Sequence, residues 1–320
     1  MPIDFFDAPD GKHARQSFDS PTVYLDHWAL RLFSEDMRLQ TRFVHAIRAK
    51  AGTLLLSNIT LTEFADLSDP RHCEQAEALL EQILPNVYFT DFAFDRLLLK
   101  EEFESNNAKR FWPPADLPQL KLFVERASSM SPELTMSGFV KLAHEHREQL
   151  AEAGKTLKQL LVEGFSAARS DPKYVSSARR VAPSDKRPRT LLILGELMRG
   201  FNLDSNAQIS ENDVIDLLHA AMPVNCCDFV LLDGPWAERV EKMKHRVAKS
   251  AMEMPMAECF SQRNSGMEAF LSALEAFDQE ANAHTSAVPQ VSSPRESHPQ
   301  ALPEPDVNLS IHPAPIVQSS

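Results

Sequence analysis

Glycine is scarce in this chain, at nine of 320 residues, and none sits in a GxGxxG or GxxxxGK[ST] setting. Loops that cradle phosphates need glycines whose bare backbone can approach the ligand, so a nucleotide-binding loop has little to be built from. Cysteine is sparse as well. Cys73, Cys226, Cys227 and Cys259 form no CxxC pair, which supports neither a disulfide framework nor a structural zinc site. The adjacent Cys226 and Cys227 stand beside an apolar run and read as small packing residues. No stretch of eighteen apolar residues occurs, and the N-terminus lacks a basic region followed by an apolar one, so neither a membrane span nor a secretory signal is expected. The expectation is a cytoplasmic protein with no membrane contact. Cations are outnumbered too: 33 Lys and Arg against 45 Asp and Glu leave a net charge of −12, which argues against indiscriminate binding to nucleic acid.

What is present is a globular composition. Hydrophobic residues make up 43% and charged residues 24% of the chain, enough for one large domain or two smaller ones. The runs TVYLD (22–26), TLLLS (53–57), NVYFTD (86–91) and DFVLLD (228–233) are short and rich in β-formers. Between them lie helical stripes: Leu39, Phe43 and Ile47, then Ala76, Leu79, Leu80 and Ile83, and then Val214, Leu217, Leu218 and Ala221. Strands alternating with helices imply βαβ units and a parallel sheet. From about 103 to 209 the pattern is helical with no convincing strand, which reads as an insertion, and DFVLLD after it reads as the last strand. The apolar run TLLILGELM (190–198) is helix or strand, since periodicity does not separate them at that length. Residues 281–320 hold seven of the 22 prolines and no aromatic, a composition that buries too little to offset its ordering entropy. The expected boundaries are an N-terminal extension (1–20), a first half of an α/β domain (20–102), the insertion (103–209), the second half with C-terminal helices (210–280) and a disordered tail (281–320).

Acids mark the places where apolar runs give way to helix starts: Asp26, Glu63, the pair Asp213 and Asp216, and Asp233. Ligands of an open parallel sheet gather beyond the carboxyl ends of its strands, so these acids can converge and suggest a cation site. Each also has a structural alternative. Thr60 with Glu63 and Ser210 with Asp213 have capping-box spacing, Asp26 can cap a helix, and Asp233 before Gly234 and Pro235 fits a turn. Asp216 is preferred to Asp213 by its DxxH register. His219, three residues after Asp216, can hydrogen-bond to it, although a lone histidine on a partly apolar helix reads first as a packing residue.

The order VYLDHWAL, LTEFADL, DLLHAAM, CDFVLLDGPW resembles the PIN domain, a metal-dependent nuclease fold that includes toxin ribonucleases of VapC type. The likeness covers roughly 20–100 and 205–250. The long helical insertion and the extra tail depart from the compact toxin form, so toxin biology is not carried over, and His27 is a further departure where many PIN sequences carry a small polar residue. The resemblance implies a three-layer α/β/α domain with a parallel central sheet, interrupted by an all-helical insertion. It further implies an endonuclease, with RNA as substrate, in which Asp26, Glu63, Asp216 and Asp233 hold Mg²⁺ or Mn²⁺ and Asp213 is a further ligand candidate. Hard divalent ions choose oxygen ligands and stabilise charge on attacking and leaving oxygens. Two like charges about 4 Å apart repel by roughly 4 kcal/mol at an effective dielectric near 20, so clustered acids call for a cation. Between Arg169 and Arg189 seven basic residues face two acids, and Arg179, Arg180, Lys186, Arg187 and Arg189 are the candidates for phosphate contacts. A second basic cluster, Arg239, Lys242, Lys244, Arg246 and Lys249, follows Asp233 and reads by itself as a solvated face. Rival expectations are a non-catalytic interaction or regulatory module of the same fold and a metal-dependent phosphohydrolase acting on DNA or small nucleotides. A protein inhibitor and a second copy of the chain are open as partners.

Overall fold

The computed structural model describes residues 3–9, 11–57, 59–60, 63, 69–90, 94–103, 112–129, 135–179, 187–204 and 206–278. The chain opens on an antiparallel hairpin, β1 (Ile3–Ala8) and β2 (Gly11–Gln16). The main sheet has five parallel strands: β3 (Thr22–Leu25), β4 (Thr53–Ser57), β5 (Val87–Thr90), β6 (Phe229–Leu231) and β7 (Glu258–Phe260). Their order is β5-β4-β3-β6-β7. Strands β3, β4, β5 and β6 are buried at every position, which is why they read as unbroken apolar runs and not as alternating ones.

Helices cover both faces. On one side Val23, Leu25, Leu54, Leu56, Val87 and Phe89 meet α1 (His27–Glu35), α2 (Met37–Ala49), α3 (Pro70–Ile83) and, late in the chain, a helix at Gly266–Ala276. The alternate residues Tyr24, Leu55, Tyr88 and Val230 face the opposite core. The period-two split follows from strand geometry. The stretch between β5 and β6 is helical: α4 (Phe94–Phe103), α5 (Leu117–Ser129), α6 (Phe139–Glu145), α7 (Arg147–Ser170), α8 (Pro172–Ser177), α9 (Arg189–Leu197), α10 (Arg199–Leu203) and α11 (Glu211–Cys226). After β6 come α12 (Gly234–Lys249), β7 and α13 (Gly266–Ala276). Helices α9, α11 and α12 supply the second core. No helix among the described residues is long and apolar enough to cross a membrane.

Two sequence expectations change. The run at 190–198 is helix: α9 starts after Pro188, and its Thr190 N–H donates to both oxygens of the buried Glu101 at 3.1 Å. DFVLLD is not the last strand, because β7 pairs beyond it in parallel with β6. Its three residues, Glu258 to Phe260, are too short to carry a pattern. The expected extension at 1–20 has a structural use. The Gln16 amide donates to the Phe89 carbonyl at 2.8 Å and accepts from the Phe89 N–H at 3.1 Å, which satisfies the open edge of β5. Met1–Ser286 forms one unit by its contacts, so the helical stretch belongs to the same body as the sheet. The tail at 281–320 lies outside the described residues.

Candidate metal centre

Strand order reverses on the two sides of β3, with β4 to one side and β6 to the other. In an open α/β sheet that reversal leaves a crevice beyond the carboxyl ends of the strands. Asp26 follows β3 directly and caps α1, with one oxygen accepting from the His27 N–H at 2.8 Å. Asp233 follows β6 and caps α12, with one oxygen accepting from the Trp236 N–H at 2.9 Å. Asp26 therefore does what its capping alternative asks, Asp233 caps a helix where a turn was the alternative, and each engages a single oxygen in doing so. Glu63 differs. The hydroxyl of Ser57, at the end of β4, accepts from the Thr60 N–H at 3.2 Å. The Glu63 carboxylate reaches across to His219 on α11, 3.1 Å from its Nε2.

Ligand atoms of Asp26, Glu63 and His219 lie within 4.8 Å of one another. Nothing in their spacing along the chain announces this trio. His219 is 1% exposed, and its Nδ1 contacts the hydroxyl of the fully buried Tyr24 on β3. Glu63 Oε2 and His219 Nε2 approach off the line of a well-formed hydrogen bond, so both are buried polar atoms without a conventional partner. Sequence reasoning passed His219 over as packing, and its partners are Tyr24 and Glu63, not Asp216. The DxxH spacing was the available signal. It marks the right face of α11 but cannot say which strand that face meets.

Asp216 acts on the trio through its charge without joining it. Burial, together with the neighbouring Asp26 and Asp233, raises its carboxyl to about 6, while the Trp236 side chain works in the opposite direction. Burial, with Glu63 and Asp233 nearby, also raises Asp26, although His219 pulls it down. For Glu63 burial works upward, but His219, with smaller help from His27 and Lys158, holds the carboxyl below its usual value. His219 is the counterpart: burial opposes its charge, and Glu63, Asp26 and Asp216 outweigh that and raise it. Burial lowers His27 despite Glu63. Lys158 belongs to α7, which packs against α11. The helical stretch thus brings a cation toward the acids, a contribution that no motif signalled.

Two expected site residues are accounted for differently. Asp213 forms a reciprocal capping box with Ser210, taking its N–H at 3.0 Å and its hydroxyl at 2.7 Å while donating its own N–H to that hydroxyl. It stands at the start of α11, one turn from Asp216, and is not in the trio. Arg189 is 3% exposed, and its guanidinium donates to the carbonyls of Asn225, at 3.3 Å, and Pro255. A buried guanidinium spent on carbonyls is an interior anchor and not a phosphate contact. Arg179 is exposed and Arg187 half-buried, while Arg180 and Lys186 lie outside the described residues.

Two carboxylates and an imidazole make a donor set that could hold a divalent cation. The Asp26 and Asp216 carboxyls, raised in part by neighbouring acids, would lose that repulsion with a cation among them, and oxygen ligands suit Mg²⁺ or Mn²⁺. With such an ion, the imidazole serves best as the partner that orients Glu63, with Tyr24 fixing the ring from behind. No family model matches the chain, and no curated protein or solved structure matches it significantly.

Proposed function

We propose that the protein is a metal-dependent endonuclease of PIN-like fold, with single-stranded RNA as its preferred substrate. The observation that carries the reading is the convergence of Asp26, Glu63 and His219 within 4.8 Å at the carboxyl end of the sheet. Asp233 and Asp216 stand close enough to perturb Asp26 or be perturbed by it. In this reading Asp26, Glu63, Asp216 and Asp233 hold Mg²⁺ or Mn²⁺, directly or through water. The bound ion supplies charge stabilisation to the attacking and leaving oxygens of a phosphodiester and lowers the pKa of water. The protein's residues do the rest. Asp26 and Asp233 keep one oxygen each on a helix N-terminus, which fixes the carboxylate in place. His219 orients Glu63, and Glu63 is the group positioned to orient the attacking water. The four cysteines are free thiols, in keeping with a cytoplasmic setting.

A zinc-dependent phosphohydrolase is the second reading, favoured specifically by the imidazole inside the trio, since imidazole is a good ligand for Zn²⁺. One experiment separates these. Purified protein is incubated with single-stranded RNA and DNA in Mn²⁺, Mg²⁺ or Zn²⁺, beside Asp26→Asn and Asp233→Asn. Cleavage of RNA with Mn²⁺ or Mg²⁺, lost in both variants, is the expected outcome. Cleavage that persists unchanged in both variants overturns the assigned site. Absence of both cleavage and any metal-dependent thermal shift supports a non-catalytic module instead.

A further inference from the structure

The basic cluster after Asp233 is more than a solvated face. Arg239 on α12 lies over two aromatic rings, 4.3 Å from the centroid of Phe201 and 4.4 Å from that of Trp236. Its Nη1 is enclosed and makes no hydrogen bond, and no carboxylate forms an ion pair with it among the described residues. A planar cation stacked on ring faces keeps its full charge. Arg239 opens on a cleft of about 450 Å³, also lined by Arg199, Lys242 and Arg246. That volume is many times the roughly 30 Å³ of a water molecule.

The charges around the cleft do not cancel. Arg246 is committed to Glu196 at 2.7 Å, and Lys242 to Glu238 at 2.5 Å. Arg199 donates to the carbonyls of Ala178 and Arg179, which neutralise nothing. Asp204 is the other acid on the rim, and the Asn206 N–H it accepts at 2.9 Å leaves its charge in place. Arg239 and Arg199 thus stand against one acid, which leaves the cleft locally positive in a chain of net charge −12. Position adds to this. Asp233 caps α12 and Arg239 lies six residues along it, which at 1.5 Å per residue is about 9 Å. Trp236 stands between the two places: its side chain holds the Asp216 carboxyl down against burial, and its ring lies under Arg239.

We infer that this cleft is a binding site for a phosphodiester group of single-stranded nucleic acid, held by Arg239 and Arg199 beside the acidic cluster. The inference rests on the proposed nuclease reading for the identity of the ligand and deepens it by naming where a non-scissile phosphate docks. It also explains how an acidic protein engages a polyanion: a local cationic cleft supplies the attraction that the whole charge lacks.

The test is binding without cleavage. Anisotropy of labelled single-stranded RNA and DNA of equal length is followed in EDTA at several salt concentrations, for the full chain, Arg239→Met, Arg239→Lys and Asp26→Asn. Methionine keeps an apolar body against Phe201 and Trp236, and thermal melting checks that the variants are folded. Arg239→Met is expected to weaken both oligonucleotides about tenfold and to reduce the slope of log affinity against log salt by about one. Arg239→Lys is expected to fall between, and Asp26→Asn to bind at least as well as the parent. Folded Arg239→Met that binds with unchanged affinity and slope overturns the inference. So does a loss confined to one of the two nucleic acids, since a phosphate contact serves both, and so does a parent protein that binds neither. Failure of the nuclease reading looks different: Arg239-dependent binding in EDTA with no cleavage on adding metal.

Discussion

The two ends of the parallel sheet carry similar polar residues and treat them in opposite ways. At the amino end, Asp228 accepts from the Thr22 N–H at 2.8 Å and from the Thr22 hydroxyl at 2.9 Å, while its own N–H donates back to that hydroxyl at 2.8 Å. Thr53 and Asp19 exchange bonds in the same manner at 2.9 and 2.7 Å, and Asn86 donates to the Gly52 carbonyl at 2.8 Å. At the carboxyl end, Asp26 and Asp233 each engage one oxygen in a cap, Glu63 and His219 meet off line, and the carboxyls of Asp26 and Asp216 are pushed upward. Closed polar pairs at strand starts lock β3 against β6 and β4, and they contribute to stability. Half-satisfied acids at strand ends cost stability, and the surrounding core maintains them. In the proposed reading, that contrast separates groups that serve the fold from groups kept for a ligand.

Substitutions at the two ends break the contrast in opposite directions. Asp26→Asn is expected to lower metal-dependent cleavage by more than about 100-fold, while relief of repulsion leaves the metal-free protein at least as stable. Rates on RNA and melting in EDTA are measured together, and a variant that loses stability in step with activity argues against the assignment. Asp228→Ala is expected to do the reverse. It orphans the Thr22 donors at a cost of about 2 kcal/mol, roughly 4–8 °C in Tm for a body of this size, with cleavage per folded molecule unchanged. Saturating Mn²⁺ sharpens the comparison from the other side, since at about 100 times its dissociation constant it adds about 2.7 kcal/mol to the parent. Asp26→Asn should lose that thermal shift and Asp228→Ala should keep it.

Much of this was legible in the chain. The apolar runs at 22–26, 53–57 and 228–233 have the composition of strands buried on both faces, and the acids after them fall at the carboxyl edge because a parallel sheet puts every strand end on one side. The trio was not legible. His219 is one histidine on an apolar helix face, and only packing of α11 against β3 brings it to Tyr24 and Glu63. Arg189 misled for the same reason: a cation in a basic segment looks exposed until the carbonyls of Asn225 and Pro255 turn out to enclose it. Lys158 and the Arg239 stack depend on how remote helices cross, which no local pattern encodes. β7 is only three residues long and took its place from its neighbour β6.

The pH dependence of the acidic end offers a subtler break. Burial, with Asp26 and Asp233 beside it, raises Asp216 to about 6 in the fold from an ordinary 3.8. A carboxyl raised by folding binds its proton more tightly in the native state, so its cost is absent below 3.8, grows as pH climbs from there to about 6, and is fully present above that. Asp216→Asn carries no such cost. In EDTA, the variant's melting temperature relative to the parent should therefore rise from pH 4 to pH 7. A difference that stays flat across that range removes the claim that Asp216 sits charged among repelling neighbours.

The smallest effect is the most discriminating within α11, because Asp213 and Asp216 are three residues apart and share the acid chemistry. Asp213 is closed in a capping box with Ser210, and its partners are the helix N-terminus itself. Asp213→Ala should cost about 1 kcal/mol, the usual loss for a helix cap, with no change in cleavage rate or in the Mn²⁺-induced thermal shift. Asp216→Asn should weaken that Mn²⁺ shift with no loss of stability. If Asp213→Ala instead abolishes the metal response, the boundary between cap and ligand lies one turn earlier on α11 than its hydrogen bonds indicate.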